Sequence, residues 1–205
     1  MPGGAPDKVA QKKFARRIIR TINQAVKEKE IVMFLDPTHQ VHNTENGYSW
    51  QEKGRAGTKT VKSNSGRKRI TIIGAINAIT LKPTALITED NCDKEMMKQF
   101  LKEIRKDYQA MNRIHVFLDN ARYSWNKEVR LEAKKLNIKL IFLPPYSPNL
   151  NLIERLWKFL KKKIRKNIYY HTFKKFAKAI HNFFKNIEQY QTELKTLLTL
   201  KFEII

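Results

Sequence analysis

Ile114-His115-Val116-Phe117-Leu118-Asp119-Asn120-Ala121-Arg122 is a run of strand length that ends on a carboxylate. After 34 intervening residues comes a second carboxylate, Glu154, in Leu143-Pro144-Pro145-Tyr146-Ser147-Pro148-Asn149-Leu150-Asn151-Leu152-Ile153-Glu154-Arg155-Leu156-Trp157. Between them, residues 125–136 have helical spacing and residues 139–143 read as a strand. Strand, helix, strand, helix in that order favours parallel pairing. Upstream, Ile31-Val32-Met33-Phe34-Leu35 reads as a buried strand that exits at Asp36-Pro37. Residues 69–79 and 84–88, joined by a turn at Lys82-Pro83, read as a hairpin, and residues 48–50 and 58–62 as short strands around a Gly-containing turn. Residues 93–108 carry a helical stripe at Met96, Met97, Phe100, Leu101 and Ile104. Further helices are expected over 7–29, with Val9, Phe14, Ile18 and Ile22 on one face, and over 151–167, 172–186 and 191–200. The expected fold class is α/β: a mixed sheet, antiparallel meander first and parallel strands second, flanked by helices.

The chain of 205 residues is long enough for one domain with a real core. We divide it into a basic linker and helix at 1–29, a central domain at 30–170, and C-terminal helices at 171–205 that pack on that domain. Lys and Arg number 41 against 19 Asp and Glu, a net charge of +22. So large a surplus costs self-repulsion and points to a polyanionic partner, with nucleic acid first. An anionic membrane surface comes second, but no apolar run approaches the roughly 20 residues of a spanning helix. Residues 1–7 have no signal-peptide core, and the lone Cys92 fits a reducing cytoplasm.

Asp36 and Asp119 are expected at the ends of neighbouring strands, and Glu154 in the first turn of a basic helix. Phosphodiester cleavage needs an activated oxygen nucleophile and a stabilised leaving oxygen, and two divalent ions about 3.5–4 Å apart supply both. Mg2+ takes oxygen ligands and keeps several waters, so a few carboxylates on rigid elements suffice. The competing reading is three ordinary surface acids, with Glu154 merely favourable near a helix N-terminus.

These residues carry a resemblance. Asp119-Asn120-Ala121-Arg122-Tyr123, the gap, and the segment from Leu143 to Trp157 are similar to the mariner-like superfamily of DDE transposases, in its bacterial insertion-sequence branch. Asp36 with His39, His42, Asn43 and then Gly47-Tyr48-Ser49-Trp50 resembles the same branch. The resemblance covers roughly Val9 to Ile180. It implies a ribonuclease H-like fold and a metal-binding catalytic triad of Asp36, Asp119 and Glu154. It implies Mg2+, with Mn2+ as substitute and two ions bound, and a cytoplasmic, nucleoid-associated protein. It also implies double-stranded DNA as substrate, nicking at transposon ends, strand transfer by the freed 3′-hydroxyl, and a homodimer or larger assembly. Such transposases carry helix-turn-helix domains ahead of the catalytic one, whereas 35 residues precede Asp36 here. End recognition is therefore expected outside this chain, which would be a second reading frame served by a separate N-terminal polypeptide, the back half of a frameshift product, a truncated relic or an expressed fragment. The alternative is a truncated, catalytically silent remnant that binds DNA or inhibits an intact transposase. Pro37 is a second departure, since many relatives place another acid there.

From Arg155 to Lys185 there are 11 Lys or Arg and no acid. Lys158, Lys161, Lys162 and Arg165 follow Glu154 at helical offsets, and with Arg122 and Arg155 they are the candidate DNA contacts. The plainer reading is a solvated basic helix face. Asn120 and His39 are candidates for orienting groups beside the metals. Tyr48, Trp50 and Tyr146 are weighed as DNA contacts, against core and turn roles; Trp125 and Trp157 read as core or half-core. His39 and His42 have no Cys or His partners for zinc. No Gly-rich phosphate loop and no Ser-His-acid spacing appears.

Overall fold

A computed structural model describes residues 5–45, 53 and 62–205 of the chain. The expected strands at 48–50 and 58–61, with Tyr48 and Trp50, lie outside the described residues. Among the described residues five strands form one sheet in the order β3-β2-β1-β4-β5. They are β1 (Ile31–Val41), β2 (Arg69–Asn77), β3 (Pro83–Thr88), β4 (Ile114–Leu118) and β5 (Ile138–Phe142). β1–β2 and β2–β3 pair antiparallel; β1–β4 and β4–β5 pair parallel. The helices are α1 (Lys8–Lys27), α2 (Lys94–Asp107), α3 (Lys127–Lys135), α4 (Ile153–Ile164), α5 (Phe173–Lys185) and α6 (Gln191–Leu197).

Side chains alternate across the sheet, and each face has its own core. Val32 and Phe34 of β1 and Phe117 of β4 face α1, α4 and α5, where they meet Ile18, Leu156, Trp157 and Phe176. Met33, Leu35, Val116 and Leu118 face the other way, onto Met97, Phe100 and Leu101 of α2 and Val129 of α3. Phe183, Ile187, Leu194 and Leu198 belong to the first of these cores. Short polar side chains start several helices. Asp7, Asp93, Asn126 and Thr172 each accept a backbone N–H of the first turn.

Three details depart from the sequence reading. Val9 is 77% exposed. The buried line of α1 runs through Gln11, Ile18, Ile22 and Ala25, and Val9 lies on the far side of that line. The helix expected over 151–167 is a 3₁₀ turn (Pro148–Leu150) followed by α4, which stops at Ile164. Third, Asp36 is not at a strand end: β1 continues through Pro37 to Val41. Proline is tolerated there because of parity. Val32 bonds toward β2 and Ile31 toward β4, so odd residues of β1 direct their N–H to the β4 side. The β4 ladder ends at the pair Leu35↔Leu118, so the N–H that Pro37 lacks has no ladder partner to lose.

This arrangement locates the site. β1 goes on, paired only with β2, where β4 and β5 stop, at the point where the strand order reverses direction. In open α/β sheets ligands bind in that crevice beyond the carboxyl ends of the parallel strands.

Candidate active site

Three elements deliver the three acids. Leu35 pairs with Leu118 in parallel register, so Asp36 and Asp119 are the next residues of adjacent chains. Leu35 and Leu118 point into the α2–α3 core, and the residues after them point to the α4 face. On that face Glu154 is the second residue of α4. A cleft of about 450 Å3 is lined by all three acids together with Asn120, Leu143, the Pro144-Pro145-Tyr146-Ser147-Pro148 turn and Asn151.

The turn is closely bonded. Leu143 extends the β4–β5 ladder through its N–H to the Leu118 carbonyl at 2.9 Å. Asn120 ties the two strand ends together, donating Nδ2 to the Leu143 carbonyl at 2.7 Å. Tyr146 takes a left-handed φ of 54° and is 58% exposed at the cleft edge. The buried Asn151 donates to the Leu35 carbonyl at 3.1 Å, on the side of β1 that β4 has left. It thereby ties the start of α4 to the strand that carries Asp36. The Asp119 carboxylate accepts the Ala121 N–H at 3.2 Å. Trp157 Nε1 donates to Asp36 Oδ2 at 3.2 Å.

The electrostatics show a crowded set of carboxylates. Burial pushes the Asp36 carboxyl up to about 8, and the Glu154 and Asp119 charges add to this, while the Trp157 hydrogen bond pulls it down. Glu154 is also raised, first by burial; Lys161 and Lys158 pull it down, and Asp119 pushes it up. Beside them, burial holds the Tyr123 hydroxyl well above its ordinary range, with the Cys92, Asp119 and Asp36 charges adding. Burial likewise pushes the Cys92 thiol up to about 11. Both groups therefore stay protonated at neutral pH and neither offers an anionic nucleophile.

The candidate DNA contacts divide by what they already touch. Lys158 and Lys162 are exposed and Lys161 is half-buried. Of these, Lys158 and Lys161 are the cations whose charge reaches Glu154. Arg122 is exposed, one residue beyond Ala121 of the cleft. Arg155 is committed elsewhere: its guanidinium donates to the carbonyls of Leu197, Thr199 and Lys201 and lies over Phe202, binding the C-terminal segment. Arg165 donates to the Asn43 carbonyl and pairs with Glu45 at 3.8 Å. His39 is not brought to the cleft. It bonds Thr71 across the β1–β2 pair, and strand alternation puts it on the face opposite Asp36. Buried His42 is bonded to the Tyr170 carbonyl and stacked on Phe176.

Sequence reading missed Asn151, the N–H of Trp157, and Gly74. Gly74 faces Asp36 across the β1–β2 pair. A Cβ there would stand 2.4 Å from Trp157 Cη2. A glycine inside Ile70-Thr71-Ile72-Ile73-Gly74-Ala75-Ile76 was the available signal, because a bare position in a strand marks a close approach.

Among the described residues no group of three or more His, Cys, Asp or Glu side chains forms a ready-made metal cluster. The donors fit a hard cation nonetheless. They are all oxygen, the carboxylates repel one another, and Asn151 Oδ1 is buried at the cleft without a protein donor. Mg2+ asks for one or two carboxylates per ion and completes its shell with water.

Residues 31–177 match the family described as DDE superfamily endonuclease. The 39 kDa protein of insertion element IS630 from Shigella sonnei is 23% identical over 160 residues, 77% of this chain and 46% of that protein. Protein y4pE/y4sA of Sinorhizobium fredii is 37% identical over 70 residues, 34% of this chain and 50% of that protein. The chain thus spans about half the length of these curated relatives. Among solved structures, the Mos1 transposase paired-end complex with left transposon end superposes with a TM-score of 0.68 at 14% identity, over 97% of this chain and 61% of that one. The Mos1 mariner paired end complex with Mn gives 0.67 at 17% identity, over 97% and 62%. The shared architecture is the ribonuclease H-like one expected from the sequence.

Proposed function

The chain belongs to the DDE superfamily endonuclease family, and on that premise we propose that it is a transposase catalytic domain that cuts double-stranded DNA and joins a 3′-hydroxyl to a target strand. The observation that carries this reading is the convergence of Asp36, Asp119 and Glu154, from two strands and a helix, on one cleft beside Lys158 and Lys161. Asp36, Asp119 and Glu154 would hold Mg2+ or Mn2+, in two ions. When bound, such ions supply Lewis-acid activation of a water or hydroxyl and neutralise the leaving oxygen. The Asn120, Asn151 and Leu143 hydrogen bonds keep the carboxylate-bearing elements in register. Lys158 and Lys161 bind phosphate oxygens on the helix side of the cleft, and Arg122 binds them on the other side. The domain works in the cytoplasm as a dimer or larger assembly on DNA, and for the assembly on DNA the Mos1 paired-end complexes are the analogy. Among the described residues no helix is long and apolar enough to cross a membrane.

The test is nicking of supercoiled plasmid at low salt. Nicked circles are expected with Mn2+ or Mg2+ and none with EDTA; oligonucleotide joining should require a free 3′-hydroxyl. DNA binding without cleavage under every metal condition would overturn the reading in favour of a silent DNA-binding remnant. Lys158→Ala is expected to lower the slope of log affinity against log salt by about 1, because one phosphate contact releases about one counterion. An unchanged slope would remove Lys158 from the DNA path.

A further inference from the structure

We infer that Trp157 is a positioning residue for the first acid: its indole N–H holds one oxygen of Asp36 and leaves the other to the cleft. This rests on the reading of Asp36 as an acid that holds a divalent ion. Among the described residues, the Trp157 indole is the sole hydrogen-bond donor to the Asp36 side chain, with Nε1 3.2 Å from Oδ2. A buried indole seeks an acceptor, and most would take a carbonyl. This one takes a carboxylate in the middle of a strand.

The ring has little freedom to do otherwise. Trp157 is 2% exposed. Its benzo edge rests on the sheet where β2 has no side chain. A Cβ at Gly74 would be 2.4 Å from Cη2, 2.9 Å from Cζ2 and 3.3 Å from Ile153 Cδ1. Phe184 packs against the indole edge to face, with ring centroids 6.5 Å apart. Gly74 is the register partner of Asp36, so the missing side chain and the carboxylate sit side by side, and one ring spans both. The same helix carries Glu154 three residues earlier. A single rigid body, α4, therefore presents one acid directly and orients another through the indole. With Oδ2 held, Asp36 offers Oδ1 as a one-oxygen ligand, the mode suited to Mg2+, whose shell resists distortion.

The bland alternative is that Asp36 merely satisfies a buried indole. Mn2+ titration without DNA, by calorimetry, separates the two. The proteins are wild type, Trp157→Phe, and a protein with β-(3-benzothienyl)alanine in place of Trp157, which keeps the ring shape and lacks only the N–H. Phe184→Leu, which loosens the ring without touching the carboxylate, is the packing control. Both N–H-deficient proteins should bind Mn2+ about tenfold more weakly, in the range usual for partners that orient metal ligands, while the control binds like wild type. Cleavage should follow as a higher Mn2+ requirement with a smaller change at saturating Mn2+. If Trp157→Phe fails to fold, the benzothienyl protein decides. Affinities within twofold of wild type in that protein overturn the inference alone. A wild type that binds no Mn2+ overturns the metal reading of the cleft, and the inference with it.

Discussion

Glu154→Ala is expected to lower metal-dependent DNA cleavage by at least about 10³-fold, because on the proposed reading it would remove one of the few protein ligands of a Mg2+ site that completes its shell with water. The same change should leave the melting temperature within about 4 °C of wild type, roughly the effect of 1 kcal/mol in a chain of this size. The two expectations come from the same local chemistry. Among the described residues nothing donates a side-chain hydrogen bond to Glu154, so its removal orphans no buried partner. The Asp119 charge pushes the Glu154 carboxyl up and the Glu154 charge pushes Asp36 up, so truncation relieves repulsion. Against this stands the loss of an acid from the first turn of α4, which costs about 0.3–1 kcal/mol. These contributions oppose each other and nearly cancel, whereas nothing offsets the catalytic loss. Glu154→Gln should match the alanine in activity, since it keeps the shape and removes the anionic ligand. Lys158 and Lys161 remain in place, so DNA affinity at low salt should change by no more than a few fold. Cleavage within tenfold of wild type, measured under single-turnover conditions, would remove Glu154 from the catalytic set.

A residue that acts at the cleft without stabilising the fold is what a sequence shows best. The apolar runs before Asp36 and Asp119 and the turn chemistry before Glu154 are local signals. They give the strands, the antiparallel-then-parallel pairing and the candidate acids, but not the order of the strands in the sheet. What the sequence hid depends on where side chains go after packing. Pro37 reads as a stop, because a lone strand cannot say which of its edges will be empty; here the empty edge is the one proline needs. His39 lies three residues from Asp36, and only strand alternation reveals that it faces the other side of the sheet. Arg155 sits beside Glu154 in the helix, yet it is taken up by three carbonyls more than forty residues later in the chain. Long-range polar partners of this kind leave no period and no motif. Gly74 left a trace, a bare position in an isoleucine-rich strand, but its meaning required the Trp157 ring that fills the space.

Without divalent metal, stability is expected to fall as pH rises toward about 8, and metal is expected to reverse the trend. Asp36 has an ordinary value of 3.8 and is held at about 8 in the fold, chiefly by burial. Between those values the unfolded chain has lost the proton that the native state keeps. The native state binds more protons, so the free energy of unfolding declines with pH across that interval and levels off above it. The raised Glu154 carboxyl acts in the same direction. His39 acts oppositely: burial and the Arg69 charge lower it, so its contribution grows as pH rises toward 6.5 and is complete beyond that. The interval from about 6.5 to 8 therefore isolates the acids. Across that interval the decline should be on the order of 2 kcal/mol, and Asp36→Asn should abolish most of it. On the proposed reading Mn2+ or Mg2+ would compete with the proton for the same carboxylate. Binding at pH 7 should release about one proton, seen as a dependence of calorimetric heat on buffer ionisation enthalpy. The stabilisation by metal should grow with pH as the competing proton is lost. A metal-free melting temperature that stays flat from pH 6.5 to 8, or metal binding with no proton release, would mean that Asp36 is already ionised in the native protein. Its repulsion by Asp119 and Glu154 would then be relieved by something other than a held proton.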